Sequence, residues 1–231
     1  MWDPAARGCD RLTMMERRQV LLQGVFERLL STLGPQYWWP ADSPFEVIVG
    51  AILTQNTAWK NVKQAIGKLR EHNLLTAEAI SSVALPDLAT LIRSSGYYNQ
   101  KARKLMVFCE HIRNHWQDNL DAFLCQDMEK LRAELLGLHG IGPETADSII
   151  LYAAQQPSFV VDAYTYRIFH RHGWVPEAIS YEELRSFFMD AVGPDVAFFQ
   201  EYHALLVRTG HLYCKRKQAC EACPLNQWQE T

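Results

Sequence analysis

Residues 138–167, LHGIGPETADSIILYAAQQPSFVVDAYTYR, decide how this chain folds. Glycines at 140 and 142 remove the side chains from a short turn, His139-Gly140-Ile141-Gly142, set between two segments of helical apolar spacing. Such a turn can bring backbone N–H groups close to a ligand. Pro143 suits a first helical position with Glu144 behind it. The amides of Gly142, Glu144 and Thr145 are therefore expected to face outward at the positive end of a helix dipole, where phosphate is held. Pro157 stops that helix. An extended apolar piece, Ser158-Phe159-Val160-Val161, then delivers Asp162 to the N-cap position ahead of Ala163-Tyr164-Thr165-Tyr166-Arg167.

Outward from this stretch the pattern stays helical. Val20, Leu21, Val25, Leu29, Leu30 and Leu33 form a stripe along residues 14–33, closed by Gly34-Pro35. Tyr37-Trp38-Trp39-Pro40 is an aromatic turn. Ser43-Pro44-Phe45-Glu46 reads as a capping box, so residues 45–54 form a helix apolar on nearly every side and therefore buried. Thr57 is placed to cap a helix over about 58–72 with Lys60, Lys63 and Lys68 outward. Short helices are expected at 76–83 and 86–95. Asn99 is expected to cap 100–116 and Asp127 to cap 128–138, with final helices at 181–191 and 198–213. No alternating strand pattern is visible, which predicts an all-α fold of about ten helices.

The 231 residues suffice for one large domain or two small ones. No apolar run reaches membrane-spanning length, and MWDPAARGCDR at the start has no apolar core, so a cytoplasmic protein without membrane contact is expected. A net charge of −3 does not advertise nucleic-acid binding unless cations gather locally. Some do gather: Lys101, Arg103 and Lys104 follow Tyr97-Tyr98-Asn99, and Arg167, His170, Arg171 and His172 follow Asp162.

The motifs L-x-G-I-G-P-x-T-A at 138–146 and V-D-A-Y-x-x-R at 161–167, a helix apart, resemble the helix-hairpin-helix and Gly/Pro-Asp loop of the endonuclease III superfamily of DNA glycosylases. The resemblance runs from about Tyr37 to Pro224. It implies a two-domain helix-hairpin-helix fold with a cleft between the domains. One domain would be a six-helix barrel over 43–156 holding the hairpin at about 136–154. The other, discontinuous, would join 1–42 to 157–231 and end in a Cys loop. The implied partner is double-stranded DNA with a damaged base, met by a nucleoid-associated monomer. The resemblance makes Asp162 catalytic, and together with the hairpin amides and the gathered cations the expected DNA contacts are Gln55, Lys101, His139, Gly140, Gly142, Glu144, Thr145 and Arg167. For Gln55 two roles stand open: a wedge filling the gap left by a flipped nucleotide, or a polar cap near Thr57.

Cleaving an N-glycosidic bond builds positive charge on the sugar, and an ionised carboxylate stabilises it while orienting water. Members of the family that also nick the strand carry a lysine at the second position after the G-I-G turn; here that residue is Glu144, which cannot form an imine. A monofunctional hydrolase is therefore expected. Trp38, Trp39, Pro40 and Trp59 are similar to the base pocket of the family's 3-methyladenine glycosylases, and an aromatic cage suits a cationic alkylated purine. Competing readings are a glycosylase for oxidised pyrimidines or mispaired adenine, and a non-catalytic helix-hairpin-helix DNA-binding protein. Cys214, Cys220 and Cys223 resemble the family's [4Fe-4S] loop, but the first gap is one residue short and Gln229 stands where a fourth cysteine would fall. A cluster with a ligand from elsewhere, zinc completed by His211, and a metal-free remnant all stay open. The proposed hydrolysis needs no cofactor.

Overall fold

The computed structural model describes residues 13–217 and 219–226, which are all-α with short connections. Cys9 and Gln229 lie outside the described residues. The described residues divide into two compact units, the first made of 37–162 with 195–204 and the second of 13–36, 163–194 and the described part of 205–226. These divisions fall at 36/37 and 162/163, against the 42/43 and 156/157 drawn from sequence. Residues 195–204 group with the hairpin unit because Phe199 and Tyr202 pack edge-on against Phe159 there, at 5.5 and 6.0 Å between ring centroids.

The first unit is organised on α2 (Pro44–Leu53), in which every residue from Phe45 to Leu53 is buried. Ser43 Oγ accepts from the Glu46 N–H, the capping bond expected. The reciprocal half differs: Glu46 takes the N–H of Asp42 and an ion pair with Arg70 at 2.8 Å. Arg70 belongs to α3 (Trp59–Glu71), so the cap also joins two helices. Then follow α4 (Ala77–Ser81), α5 (Leu85–Leu91), a 3-10 turn at Arg93–Ser95, α6 (Tyr98–Trp116), α7 (Leu120–Leu124), α8 (Met128–Leu136) and α9 (Pro143–Tyr152). Helices α3, α6 and α9 all pack on α2.

The second unit holds α1 (Met14–Leu33), α10 (Ala163–Arg171) and α11 (Tyr181–Val192), with α1 packed on α11. Capping boxes at Thr13/Glu16 and Ser180/Glu183 start that pair. The last helix, α12 (Val196–Leu212), begins in the first unit and ends in the second. Arg28 Nε donates to the Pro224 carbonyl at 3.0 Å, tying the C-terminal loop to α1.

Three local expectations change. Asn99 lies inside α6, whose cap is Tyr97 at φ +44 with no side-chain cap bond. Thr57 does not cap α3, because Ala58 takes that position and the Thr57 hydroxyl instead accepts from Asn61 Nδ2. Helix α7 is an addition to the expected set: Asn119 Oδ1 accepts from the Ala122 N–H to cap it, a signal present in the sequence.

Candidate active site

The hairpin joins α8 to α9. Asp127 caps α8 through the N–H groups of Glu129 and Lys130. Ile141 is buried as the apolar anchor of the turn, and its N–H closes on the Leu138 carbonyl at 3.1 Å. The two glycines differ. Gly140 has φ +87, and a Cβ there would meet the aliphatic stem of Lys104 at 2.6 Å. Gly142 has φ −95 and open space around its Cβ position, so neither backbone nor packing requires glycine. Its N–H belongs to the end of α9 where amides lack intrahelical acceptors. His139 and Gly142 are exposed; Thr145 is buried.

Gln55 follows α2 and reaches the hairpin. Its Nε2 donates to Thr145 Oγ1 at 2.9 Å and to the Gly140 carbonyl at 3.2 Å, and its Oε1 accepts from Lys104 Nζ. Neither sequence role describes this state: the amide caps nothing at Thr57, and it is tied inward as a brace of the turn. Lys101, expected at a DNA phosphate, is instead part of the core. Its side chain is buried, with Nζ donating to the carbonyls of Leu53 at 2.8 Å and Ser95 at 2.6 Å. It closes the C-terminal end of α2 and has no exposed ammonium for a phosphate. Burial, with Lys104 as a lesser cause, lowers its pKa to about 8.

A buried clamp connects the hairpin to the Asp162 loop. Asp147 on α9 is fully buried and accepts from Arg132 of α8 through two bonds, at 2.9 and 3.1 Å. The same carboxylate accepts from Ser158 Oγ at 2.5 Å. The extended piece from 157 to 161 thus holds a fixed relation to both hairpin helices. Nothing in the sequence reading singled out Arg132, Asp147 or Ser158.

Asp162 directly precedes α10, and its side chain is 11% exposed. Two groups flank it. Glu144 is exposed as a residue, yet desolvation by the surrounding protein pushes its carboxyl up to about 7, with the Asp162 charge adding to the shift. On α12, buried His203 brings Nε2 to 4.0 Å from Asp162 Oδ2, while its Nδ1 lies 2.7 Å from the Tyr152 hydroxyl. Tyr152 continues to the aromatic turn, its ring 5.3 Å from that of Trp39.

The three tryptophans named from sequence come together. Trp38 and Trp59 meet edge-on at 4.8 Å, and Trp39 meets each of them, at 5.0 and 5.2 Å. All three rings are half-buried, and Pro40 is exposed. A base between two parallel rings needs about 7 Å, twice a van der Waals spacing of roughly 3.5 Å. Trp38 and Trp59 do not stand as such a slot here. Trp39 lies over Gly50 of α2, where a Cβ would come within 3.0 Å of its ring, and its indole nitrogen is buried with no hydrogen-bond partner among the described residues.

In the second unit, Arg167 Nη1 donates to the Cys214 carbonyl at 3.0 Å and stacks its guanidinium over Tyr164. It braces the Cys loop, as does Arg171, whose Nη1 donates to Cys214 Sγ at 3.3 Å and to the Lys215 carbonyl at 2.7 Å. Burial pushes the Cys223 thiol up, and Cys214 and Cys220 are near enough to add to it. His211 is turned to Tyr164, 3.3 Å from its hydroxyl. Among the described residues no group of three or more His, Cys, Asp or Glu side chains could hold a metal ion. Among the described residues the loop offers three thiols, one of them taking an arginine N–H, which is one ligand short of a four-thiolate cluster. No helix among the described residues is long and apolar enough to cross a membrane.

A helix, a glycine hairpin, a second helix and an extended run ending in a shielded carboxylate define a helix-hairpin-helix DNA glycosylase. The chain belongs to the HhH-GPD superfamily of base excision DNA repair proteins, whose profile matches residues 49–194. It is 42% identical over 216 residues, 93% of this chain and 98% of the other, to Methanocaldococcus jannaschii MJ1434, which is named as a candidate DNA repair glycosylase. It is 28% identical to the endonuclease III of Sulfolobus acidocaldarius over 80% of each chain. Among solved structures it resembles the H. pylori 3-methyladenine DNA glycosylase MagIII bound to 1,N6-ethenoadenine, with TM-score 0.72 and 27% identity over 84% of this chain and 97% of that one. It also shares the fold of endonuclease III in a non-covalent DNA complex, with TM-score 0.77 and 22% identity over 93% and 94% of the two chains.

Proposed function

We propose that this enzyme hydrolyses the N-glycosidic bond of alkylated purines such as 3-methyladenine in duplex DNA and leaves an abasic site. The observation that carries the reading is the Trp38–Trp39–Trp59 cluster, which lies in the same unit as Asp162 and joins Tyr152. Electron-rich faces attract a cationic base, whose glycosidic bond is already weakened, so a carboxylate suffices without a strong acid for the leaving group. The base is taken against the joint aromatic face, or between Trp38 and Trp59 once they part.

Asp162 supplies the charge that meets the oxocarbenium-like sugar and orients the attacking water. The hairpin amides hold a DNA phosphate at the start of α9. Glu144 would repel that phosphate as a carboxylate, and its pKa of about 7 leaves it partly neutral in this position. With glutamate there instead of lysine, no imine forms with the sugar and the strand stays intact. Gln55 must leave Thr145 if it is to fill the gap of a flipped nucleotide. In this reading the Cys loop braces the second unit, and iron and zinc analysis of the purified protein tests whether it holds a metal.

Duplexes with single defined lesions provide the test. Release of 3-methyladenine well above that of oxidised pyrimidines or mispaired adenine, with nicking only after alkali, is the expected result. Preference for an oxidised pyrimidine, or an enzyme–DNA adduct trapped by borohydride, would overturn it.

A further inference from the structure

We infer that His203 is a positioning residue for Asp162, held in one tautomer by Tyr152 so that its Nε2–H faces the carboxylate. The inference rests on Asp162 being the carboxylate of the proposed reaction. His203 is 5% exposed on α12, on the buried stripe of Phe199, Tyr202 and Leu206. An imidazole at such a place is costly unless its nitrogens are used. Each nitrogen faces a polar group: Nδ1 lies 2.7 Å from the Tyr152 hydroxyl, and Nε2 lies 4.0 Å from Asp162 Oδ2.

The proton positions follow from charge. Burial lowers the pKa of His203, with the Asp162 charge opposing, so the ring is neutral and one nitrogen must be bare. A bare Nε2 would set its lone pair against an anionic oxygen. With Nε2 protonated, Nδ1 is the acceptor, and the Tyr152 hydroxyl gives it its single proton. The Gln200 carbonyl, 3.2 Å from the same hydroxyl, is the more distant acceptor. Helix α12 is itself fixed in register, because Gln200 Nε2 donates to the Leu151 carbonyl at 2.9 Å. Tyr152 and Leu151 both belong to α9, so the helix that begins at the hairpin also ends at the support of Asp162. At 4.0 Å the Nε2–H of the neutral ring faces the carboxylate without yet hydrogen-bonding it, and the gap closes when substrate draws the carboxylate into place.

The experiment measures single-turnover release of 3-methyladenine from methylated duplex DNA by His203→Phe, His203→Gln, Tyr152→Phe, the His203→Phe/Tyr152→Phe double variant and Asp162→Asn. Melting temperature and affinity for undamaged duplex are read alongside. At metal sites the loss of a partner that orients a ligand costs roughly 10- to 100-fold, and the same scale is taken for a partner that orients a reacting carboxylate. We expect that loss in the rate for His203→Phe, with DNA affinity within twofold of the parent. His203→Gln, which keeps an N–H donor, should recover part of it. Tyr152→Phe should lose rate too, and the double variant should lose no more than His203→Phe, since both act through one contact. If His203→Phe does not fold, Tyr152→Phe decides alone, because it keeps the ring and removes only the hydroxyl. Parental rate in either folded single variant, multiplicative losses in the double, or a loss confined to affinity would overturn the inference. Failure of the underlying reading shows separately: an active Asp162→Asn removes Asp162 from the chemistry, whereas an inactive Asp162→Asn beside a fully active His203→Phe removes only His203.

Discussion

The Ser158 hydroxyl donates to Asp147 Oδ1 at 2.5 Å, and the acceptor is a carboxylate with no solvent exposure that Arg132 already grips from the neighbouring helix. Ser158 opens the extended piece that ends at Asp162, so this bond sets where the piece leaves the hairpin. Removing one partner of a buried ion pair costs ~3–5 kcal/mol, and losing a single bond to a charged group about 1–3 kcal/mol. Asp147→Ala should therefore lower stability severely, while Ser158→Ala should lower it modestly and slow base release more than it weakens DNA binding. Chemical denaturation beside single-turnover rates checks both. A Ser158→Ala enzyme with parental rate would show that the piece is held by its apolar residues alone.

The two hairpin glycines should separate stability from binding. Gly140→Ala places a Cβ against the Lys104 stem at positive φ, and left-handed backbone alone costs a side chain about 1–2 kcal/mol. Gly142→Ala meets nothing within 4 Å. The first variant should melt lower; the second should melt with the parent yet raise the dissociation constant for damaged and undamaged duplex alike, because a methyl group stands where a phosphate must come close. Unchanged affinity in Gly142→Ala would remove the hairpin as the phosphate grip.

Lys101→Met strands the carbonyls of Leu53 and Ser95, each unmet acceptor costing about 1–3 kcal/mol. The expected result is reduced stability with an unchanged salt dependence of DNA binding. A fall of about one in that slope would mean that the ammonium reaches a phosphate after all.

Glu144 gives a pH signature. Its folded pKa of about 7 exceeds the ordinary value of 4.5, so between those values the unfolded chain has released a proton that the folded chain keeps. Stability from this group is full below the lower value and falls as pH rises to about 7, then stays flat. Glu144→Gln should thus gain melting temperature over the parent across that window, with a constant difference above it. Asp162→Asn should bring the Glu144 pKa down, read by carboxyl NMR, since the Asp162 charge adds to the shift.

The helix that begins at Met14 and ends at Leu33 was legible because its stripe has a period and Gly34-Pro35 closes it. The hairpin and the Asp162 loop were legible as motifs. The clamp was not, because Arg132 and Ser158 lie fifteen and eleven residues from Asp147 and no period links them. Lys101 was misread although a signal existed: it shares spacing with Leu105, Phe108 and Ile112, the buried face of α6. A cation on an apolar stripe reports a buried acceptor, not a surface. His203 follows the same rule on α12, where local sequence offers no sign of Tyr152 or Asp162.

Specificity rests on the tryptophans, and their contact sharpens the test. If a cationic purine is drawn to this aromatic face, Trp59→Leu should lose roughly 1–3 kcal/mol of transition-state binding, the worth of base–aromatic stacking. Part of that attraction comes from the ring quadrupole, which phenylalanine keeps and leucine lacks. Trp59→Phe should therefore retain much of the activity on 3-methyladenine. Hypoxanthine, a neutral base, should be a poor substrate and should suffer less from the leucine change. Yet Trp59 also packs edge-on against Trp38 and Trp39, so its loss must lower stability too. Trp39 supplies the reference: it lies over Gly50 and against Tyr152, and Trp39→Leu should lower melting temperature most. Release of both bases, measured beside melting temperature for Trp38→Leu, Trp39→Leu and Trp59→Leu, separates packing from recognition. A selective fall on the cationic base in Trp38→Leu and Trp59→Leu supports the cage, whereas equal loss on both bases that tracks melting temperature through all three variants would leave the tryptophans as packing alone.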